Sequence, residues 1–305
     1  MPCNIPPKTV VVGYEPSGRS DAAVCRAFEM RKRFGARLEV VHAVDLPPPE
    51  AAGGRPDRMS ARNAELEARA WDYLVARVGE LANTPDVKIE DVLHVTVGHP
   101  AKSLIERANA LAADMIIIGH HERRGLVDFG STMRAVISKA SCNLWAEGTQ
   151  PEPVRRILVP TDISDESLEA VGMARDFAAA CEASVRALHC YTPPQIAYAA
   201  GPGYETVAMP DYVVEEESRH AQERFHAKLE AFDWKGVEHD LVFEEGSPVD
   251  AALAHQDEVD LIALGSHGRT GLAAVLLGNV AYGIMREARI PVLALRQERK
   301  SWLLS

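Results

Sequence analysis

The chain is written twice. Met115-Ile116-Ile117-Ile118-Gly119-His120-His121 leads to Gly130-Ser131-Thr132, and Leu261-Ile262-Ala263-Leu264-Gly265-Ser266-His267-Gly268 leads to Gly278-Asn279-Val280. Other anchors keep the same order at an offset of about 147 residues. Val10-Val11-Val12-Gly13-Tyr14-Glu15 answers to Ile157-Leu158-Val159-Pro160-Thr161-Asp162, and Leu38-Glu39-Val40-Val41-His42 to Val185-Arg186-Ala187-Leu188-His189. Gly98-His99-Pro100 answers to Gly246-Ser247-Pro248, and Asp114 to Asp260. A period of that length is a domain, not a solenoid repeat. Two domains, 1–150 and 151–305, are expected, joined near Gly148-Thr149-Gln150-Pro151-Glu152-Pro153. Each is long enough to bury a core of its own.

Within each half the pattern alternates strand and helix. Apolar runs at 9–13 and 157–160 lead into amphipathic helices over 19–35 and 165–181, followed by strands at 37–44 and 184–191. Third strands are expected at 87–97 and 237–244, and helices open at Pro100 and Pro248, where the missing N–H costs nothing. The strand before each glycine loop comes next, then a helix and a last strand at 144–146 or 292–295. This order predicts two doubly wound, five-stranded parallel sheets of the α/β class, helix-covered on both faces. Ligands of such sheets sit beyond the carboxyl ends of the strands, where strand order reverses.

Each connection longer than the rest is read as a loop. Residues 46–59 are rich in proline and glycine, before a helix starting near Ser60 with Leu66, Trp71, Tyr73, Leu74, Val78 and Leu81 on one apolar face. Residues 193–211 carry Pro193-Pro194, Tyr198, Gly201-Pro202-Gly203-Tyr204 and Met209-Pro210, and read as a cover or as a surface for a protein partner.

Composition excludes several classes. A net charge of -11 argues against nucleic-acid binding, which needs cationic surface to displace counterions. No stretch approaches the roughly 18 apolar residues of a membrane span. No secretory leader is visible, and five scattered cysteines without C-x-x-C spacing suggest reduced thiols in a cytoplasm, with no metal site. His42 and His189, each at the end of an apolar strand, read as structural hydrogen-bonding residues. Ser266 beside His267 lacks the glycine spacing of a nucleophile elbow, so no catalytic residue is assigned.

The loop after each fourth strand carries the ligand chemistry. Glycine lets backbone N–H groups and a helix N-terminus approach phosphate oxygens. In the second half, Gly265, two residues, Gly268, nine residues, Gly278 and Asn279 follow one another, and the first strand ends in Pro160-Thr161-Asp162. These motifs resemble those of the universal stress proteins over almost the whole chain, closest in pattern to the E-type tandem members. The resemblance implies an adenine nucleotide alpha-hydrolase-like fold, with the halves packed through their last strands as a pseudo-two-fold pair. It also implies ATP, with or without Mg2+, in the second half, a non-catalytic stress-response function and a tendency to form homodimers. By resemblance Pro160, Thr161 and Asp162 meet the base or ribose, and Cys190 and Leu264 line the adenine pocket. Gly265, Gly268, Gly278, Asn279 and Val280 then hold the phosphates through backbone groups, although Asn279 stands where the family has Ser or Thr.

The first half departs from this pattern. Glu122 occupies the position of the second glycine, Gly130 follows Gly119 by eleven positions against thirteen in the second half, and Gly13 and Glu15 replace the proline and aspartate. Its nucleotide loop is therefore read as degenerate. Two readings compete for the chain: an apolar-ligand or protein-binding scaffold whose nucleotide site has decayed, and a hydrolase or adenylate-transferring enzyme, which would need a positioned base, acid or metal cluster at the strand ends.

Overall fold

The computed structural model describes residues 3–45, 56–119, 130–193, 195–200, 203–208, 210–265 and 278–296. The first half runs β1 (Thr9–Gly13), α1 (Asp21–Phe34), β2 (Arg37–Val44), α2 (Pro56–Ala82), β3 (Leu93–Val97), α3 (Pro100–Ala110), β4 (Met115–Gly119), α4 (Ser131–Lys139) and β5 (Asn143–Glu147). The second runs β6 (Arg156–Pro160), α5 (Asp165–Cys181), β7 (Ser184–Tyr191), β8 (Gln195–Ala200), β9 (Gly203–Ala208), α6 (Asp211–Glu230), β10 (His239–Glu245), α7 (Pro248–Ala254), β11 (Leu261–Gly265), α8 (Asn279–Glu287) and β12 (Val292–Leu295).

The strands form one ten-stranded sheet in the order β10-β7-β6-β11-β12-β5-β4-β1-β2-β3. Each half is parallel and doubly wound, as the alternating pattern requires. The central pair, β12 with β5, is antiparallel, with Leu293 opposite Trp145. Antiparallel pairing of equivalent strands is what a pseudo-two-fold between the halves produces.

Strand residues divide by the period of two. Val10, Val12, Trp145, Ile157 and Leu293 enter the core under α1, α2, α5 and α6, whereas Val11, Leu144, Leu158 and Val292 enter the core on the opposite face. Each core spans both halves. Asp114 and Asp260 do the same work in each: Asp114 accepts from the N–H groups of Asn4, Lys8 and Thr9, and Asp260 from those of Arg155 and Arg156. The start of the first strand is thereby pinned beside the fourth.

Four expectations are corrected. β3 begins at Leu93, because Ile89–Asp91 forms a 3-10 turn that inserts Ile89 into the core, and β10 begins at His239. α2 begins at Pro56, earlier than Ser60, since proline suits a first helical turn. On α2, Leu74 and Val78 are buried but Tyr73 is exposed, so the apolar face is narrower than the sequence suggests. The segment 193–211, read as a loop, contains an antiparallel hairpin whose backbone register pairs position 196 with 207 across β8 and β9. Two six-residue runs separated by Gly201-Pro202 satisfy a hairpin's spacing, a signal hidden by the proline and glycine content.

Candidate functional site

In the second half, strand order reverses between β6 and β11, which pair in parallel. Their carboxyl ends, Pro160 and Gly265, therefore lie on the same edge of the sheet, and Thr161, Asp162, Cys190 and Leu264 belong to that edge. Thr161 is buried; its Oγ1 accepts from the Ile163 N–H at 3.1 Å and shares a 2.9 Å hydrogen bond with Ser167 Oγ. Asp162 Oδ1 accepts from the Ser164 N–H at 3.1 Å and from Ser164 Oγ at 2.5 Å. Ser164 in turn caps α5, its Oγ accepting from the Ser167 N–H. The turn is thus built by short polar side chains that bond to nearby backbone, the usual competence of Ser, Thr and Asp.

Ile163 adopts a φ of +57°, a region that β-branched residues rarely enter. Lys228 of α6 donates to its carbonyl at 2.8 Å. Strain of this kind concentrates at functional turns. Sequence reasoning missed it, since the contact from α6 that joins the local Thr161 and Ser164 bonds in holding the turn is a tertiary one. His189 Nδ1 bonds to the Thr161 carbonyl at 2.8 Å, and its ring stacks on Phe225. His42 bonds to Tyr14 O in the same way at 3.0 Å, so both histidines have the structural role their positions suggest. Burial pushes the Cys190 thiol up to about 11, with Glu244 adding to the shift, so this side chain offers a neutral apolar surface.

Leu264 is buried beneath this edge. Gly278 stands before α8 with no side-chain cap, and no atom of the described residues lies within 4 Å of where its Cβ would be. The first-turn N–H groups at Asn279 and Val280 follow it, with both residues exposed. A helix start without a side-chain cap suits an anion's oxygens. Gly268, Ser266, His267, Glu122 and the His120–Arg124 stretch lie outside the described residues.

The equivalent edge of the first half encloses a cavity of about 180 Å3. It is bounded by the ends of β1, β2 and β4, by Arg19 and Ser20, and by Leu104 of α3 and Met133 of α4. Sequence reasoning read only this half's nucleotide loop as degenerate. Gly119 carries a local sign of its packing: a Cβ there would meet Arg19 O at 2.7 Å and Ser20 Cα at 3.0 Å. Among the described residues no group of His, Cys, Asp and Glu is arranged to hold a metal, and no helix is long and apolar enough to cross a membrane.

Fold and edge together define a tandem doubly wound α/β protein with a strand-order switch point in each half. The chain belongs to the universal stress protein family, whose pattern it matches over residues 7–146 and again over 153–296. A universal stress protein of Mycobacterium tuberculosis is 26% identical over 305 residues, covering 94% of this chain and 97% of that one. Universal stress protein E of Escherichia coli is 22% identical, covering 96% of this chain and 95% of its own. Among solved structures, a universal stress protein from Archaeoglobus fulgidus superposes with a TM-score of 0.61 at 15% identity, over 95% of this chain and 99% of that one. That likeness is one of fold.

Proposed function

We propose that this chain is a non-catalytic stress-response protein that holds one adenine nucleotide, ATP with or without Mg2+, at the switch point of its second half. The observation that carries this is the juxtaposition at one sheet edge of the Thr161–Asp162 turn and the Gly265 end of β11. The uncapped start of α8 at Gly278 adds a fitting place for phosphate oxygens. Cys190 and Leu264 would contribute apolar surface to the base, and backbone groups from Gly265, Gly268, Gly278, Asn279 and Val280 would hold the phosphates. Bound Mg2+ would neutralise phosphate charge. The non-catalytic reading rests on Asp162, whose Oδ1 is engaged by Ser164 as a turn-forming acceptor. An apolar-ligand scaffold is the second reading, favoured by the first-half cavity.

Calorimetry with ATP tests the first reading. One site per chain is expected, lost in Gly268→Glu, which copies the residue at the matching first-half position. Asp162→Ala should weaken binding by about 1–3 kcal/mol, as for one deleted partner of a partly buried polar group. Turnover at saturating ATP that falls several hundredfold in Asp162→Ala, with affinity unchanged, would make Asp162 catalytic and defeat the non-catalytic reading.

A further inference from the structure

We propose that the first-half cavity is a separate site for a small apolar monocarboxylate, with its ring or branched chain inside and its carboxylate at Arg19. The inference does not depend on the nucleotide reading of the second half.

Size is the first argument. A cavity of about 180 Å3 falls below the roughly 300–1,000 Å3 of sites for drug-sized ligands, and accommodates one ring rather than a whole nucleotide. Its walls include Val41, Leu104, Ile118 and Met133, all buried. Gly13 keeps the floor open, because a Cβ there would sit 3.2 Å from Leu104 Cδ2. The apolar wall rewards burial of a hydrocarbon body.

Charge is the second. Three titratable side chains other than Tyr14 belong to lining residues: Glu15, Arg19 and His42. Glu15 is committed locally, with Oε1 accepting from the Ser17 N–H at 3.2 Å and Oε2 bonded to the Ser17 hydroxyl. His42 Nδ1 is bonded to Tyr14 O. Arg19 is exposed at the rim and has no ion pair or hydrogen bond among the described residues. Among the described residues, the uncommitted charge at this mouth is therefore positive. Thr132 and Met133 bring the first turn of α4 to the same cavity, and Gly130 supplies that helix with no side-chain cap. An anionic group is favoured there too.

The duplication supplies the third. Where the first half has Arg19, the offset places Glu166 in the second. The sign of the charge reverses between two crevices built on the same plan, so the two edges are suited to different ligands.

The test is titration of the full-length chain with benzoate and with benzyl alcohol, a neutral analogue of similar size, followed by calorimetry and by amide NMR shifts. Benzoate should saturate one site, and benzyl alcohol should bind ~10-fold more weakly, the worth of about one charge-assisted hydrogen bond. Arg19→Gln should weaken benzoate ~10-fold and leave benzyl alcohol unchanged. Ala43→Phe, which fills the cavity from the end of β2, should remove both; Arg19→Gln, at an exposed position, keeps the test independent of that variant's folding. Saturating ATP and Gly268→Glu should leave benzoate binding intact, which separates this site's failure from failure of the nucleotide reading. Equal binding of the two probes, indifference to Arg19→Gln, loss of benzoate in Gly268→Glu, or no benzoate binding at all overturns the proposal.

Discussion

Glu147 is a carboxylate at the end of a strand buried along its whole length, and it is fully buried itself. Arg26 Nε donates to it at 2.7 Å, Trp145 Nε1 at 2.8 Å and the Gly148 N–H at 3.0 Å. Arg26 is itself buried, lies over the Trp145 ring at 5.3 Å, and reaches the Glu152 carbonyl. Burial raises the Glu147 pKa, while Arg26 and the other donors pull it down. Removing one partner strands a buried charge: Glu147→Ala should cost about 3–5 kcal/mol in urea unfolding. The paired change Arg26→Met with Glu147→Leu should cost less than either single change, because both charges leave together. His94 offers a pH test. Burial, and then the Arg107 guanidinium, hold its pKa below 6.5, against the opposing pull of Glu39 and Glu67. With a depressed folded-state pKa, its contribution to stability is present above pH 6.5 and is lost as pH falls through the folded value. His94→Gln should flatten that part of the acid loss when urea midpoints are compared across pH.

At the scale of elements, the glycine that ends β4, Gly119, and the glycine that precedes α8, Gly278, are under different constraints. At Gly119 the backbone of Arg19 and Ser20 occupies the space a Cβ needs. Gly119→Ala should therefore cost about 1–3 kcal/mol through overpacking, measured by thermal or urea unfolding. Gly278 has negative φ and no described atom within 4 Å of its Cβ position, so Gly278→Ala should cost no more than about 1 kcal/mol, the difference in capping preference. Equal losses at the two sites would show that the close approach at Gly119 is not what constrains it. The helix starts were largely legible: Pro100 and Pro248 open α3 and α7, and Ser247 caps α7. The β8–β9 hairpin was not, since its composition resembles a loop and only its pairing register reveals strands.

At the scale of the whole molecule, the seam between β5 and β12 joins the halves. Trp145 and Leu293 face each other there, both buried. Phe177 of α5 lies 5.8 Å from Trp145 and 5.9 Å from Phe34 of α1, and Arg33 donates to the Ala180 carbonyl at 3.1 Å. The Arg296 N–H ties the end of β12 to Asn143 Oδ1 at 2.8 Å. These contacts predict cooperative unfolding of the two halves. Trp145→Ala should cost about 3–5 kcal/mol and split a single urea transition into two. A single transition of unchanged midpoint would show that the seam does not couple them. Two edges opened by such a change would also be free to pair with other chains, measurable as concentration-dependent association.

The sequence by itself determined the duplication, the alternation of strand and helix, the doubly wound parallel halves and the candidate loop at Gly265 to Val280. All of these are written in local apolar periodicity, turn residues and repeated spacing. Tertiary structure alone decided the αL turn at Ile163, held from α6 by Lys228, and the buried Arg26–Glu147 pair, whose members stand 121 residues apart. It also decided that the first half, whose loop reads as degenerate, encloses a cavity at its strand ends. The reason is physical: burial, close backbone approach and charge pairing arise between segments distant in the chain, and a local pattern carries no term for the partner across the fold.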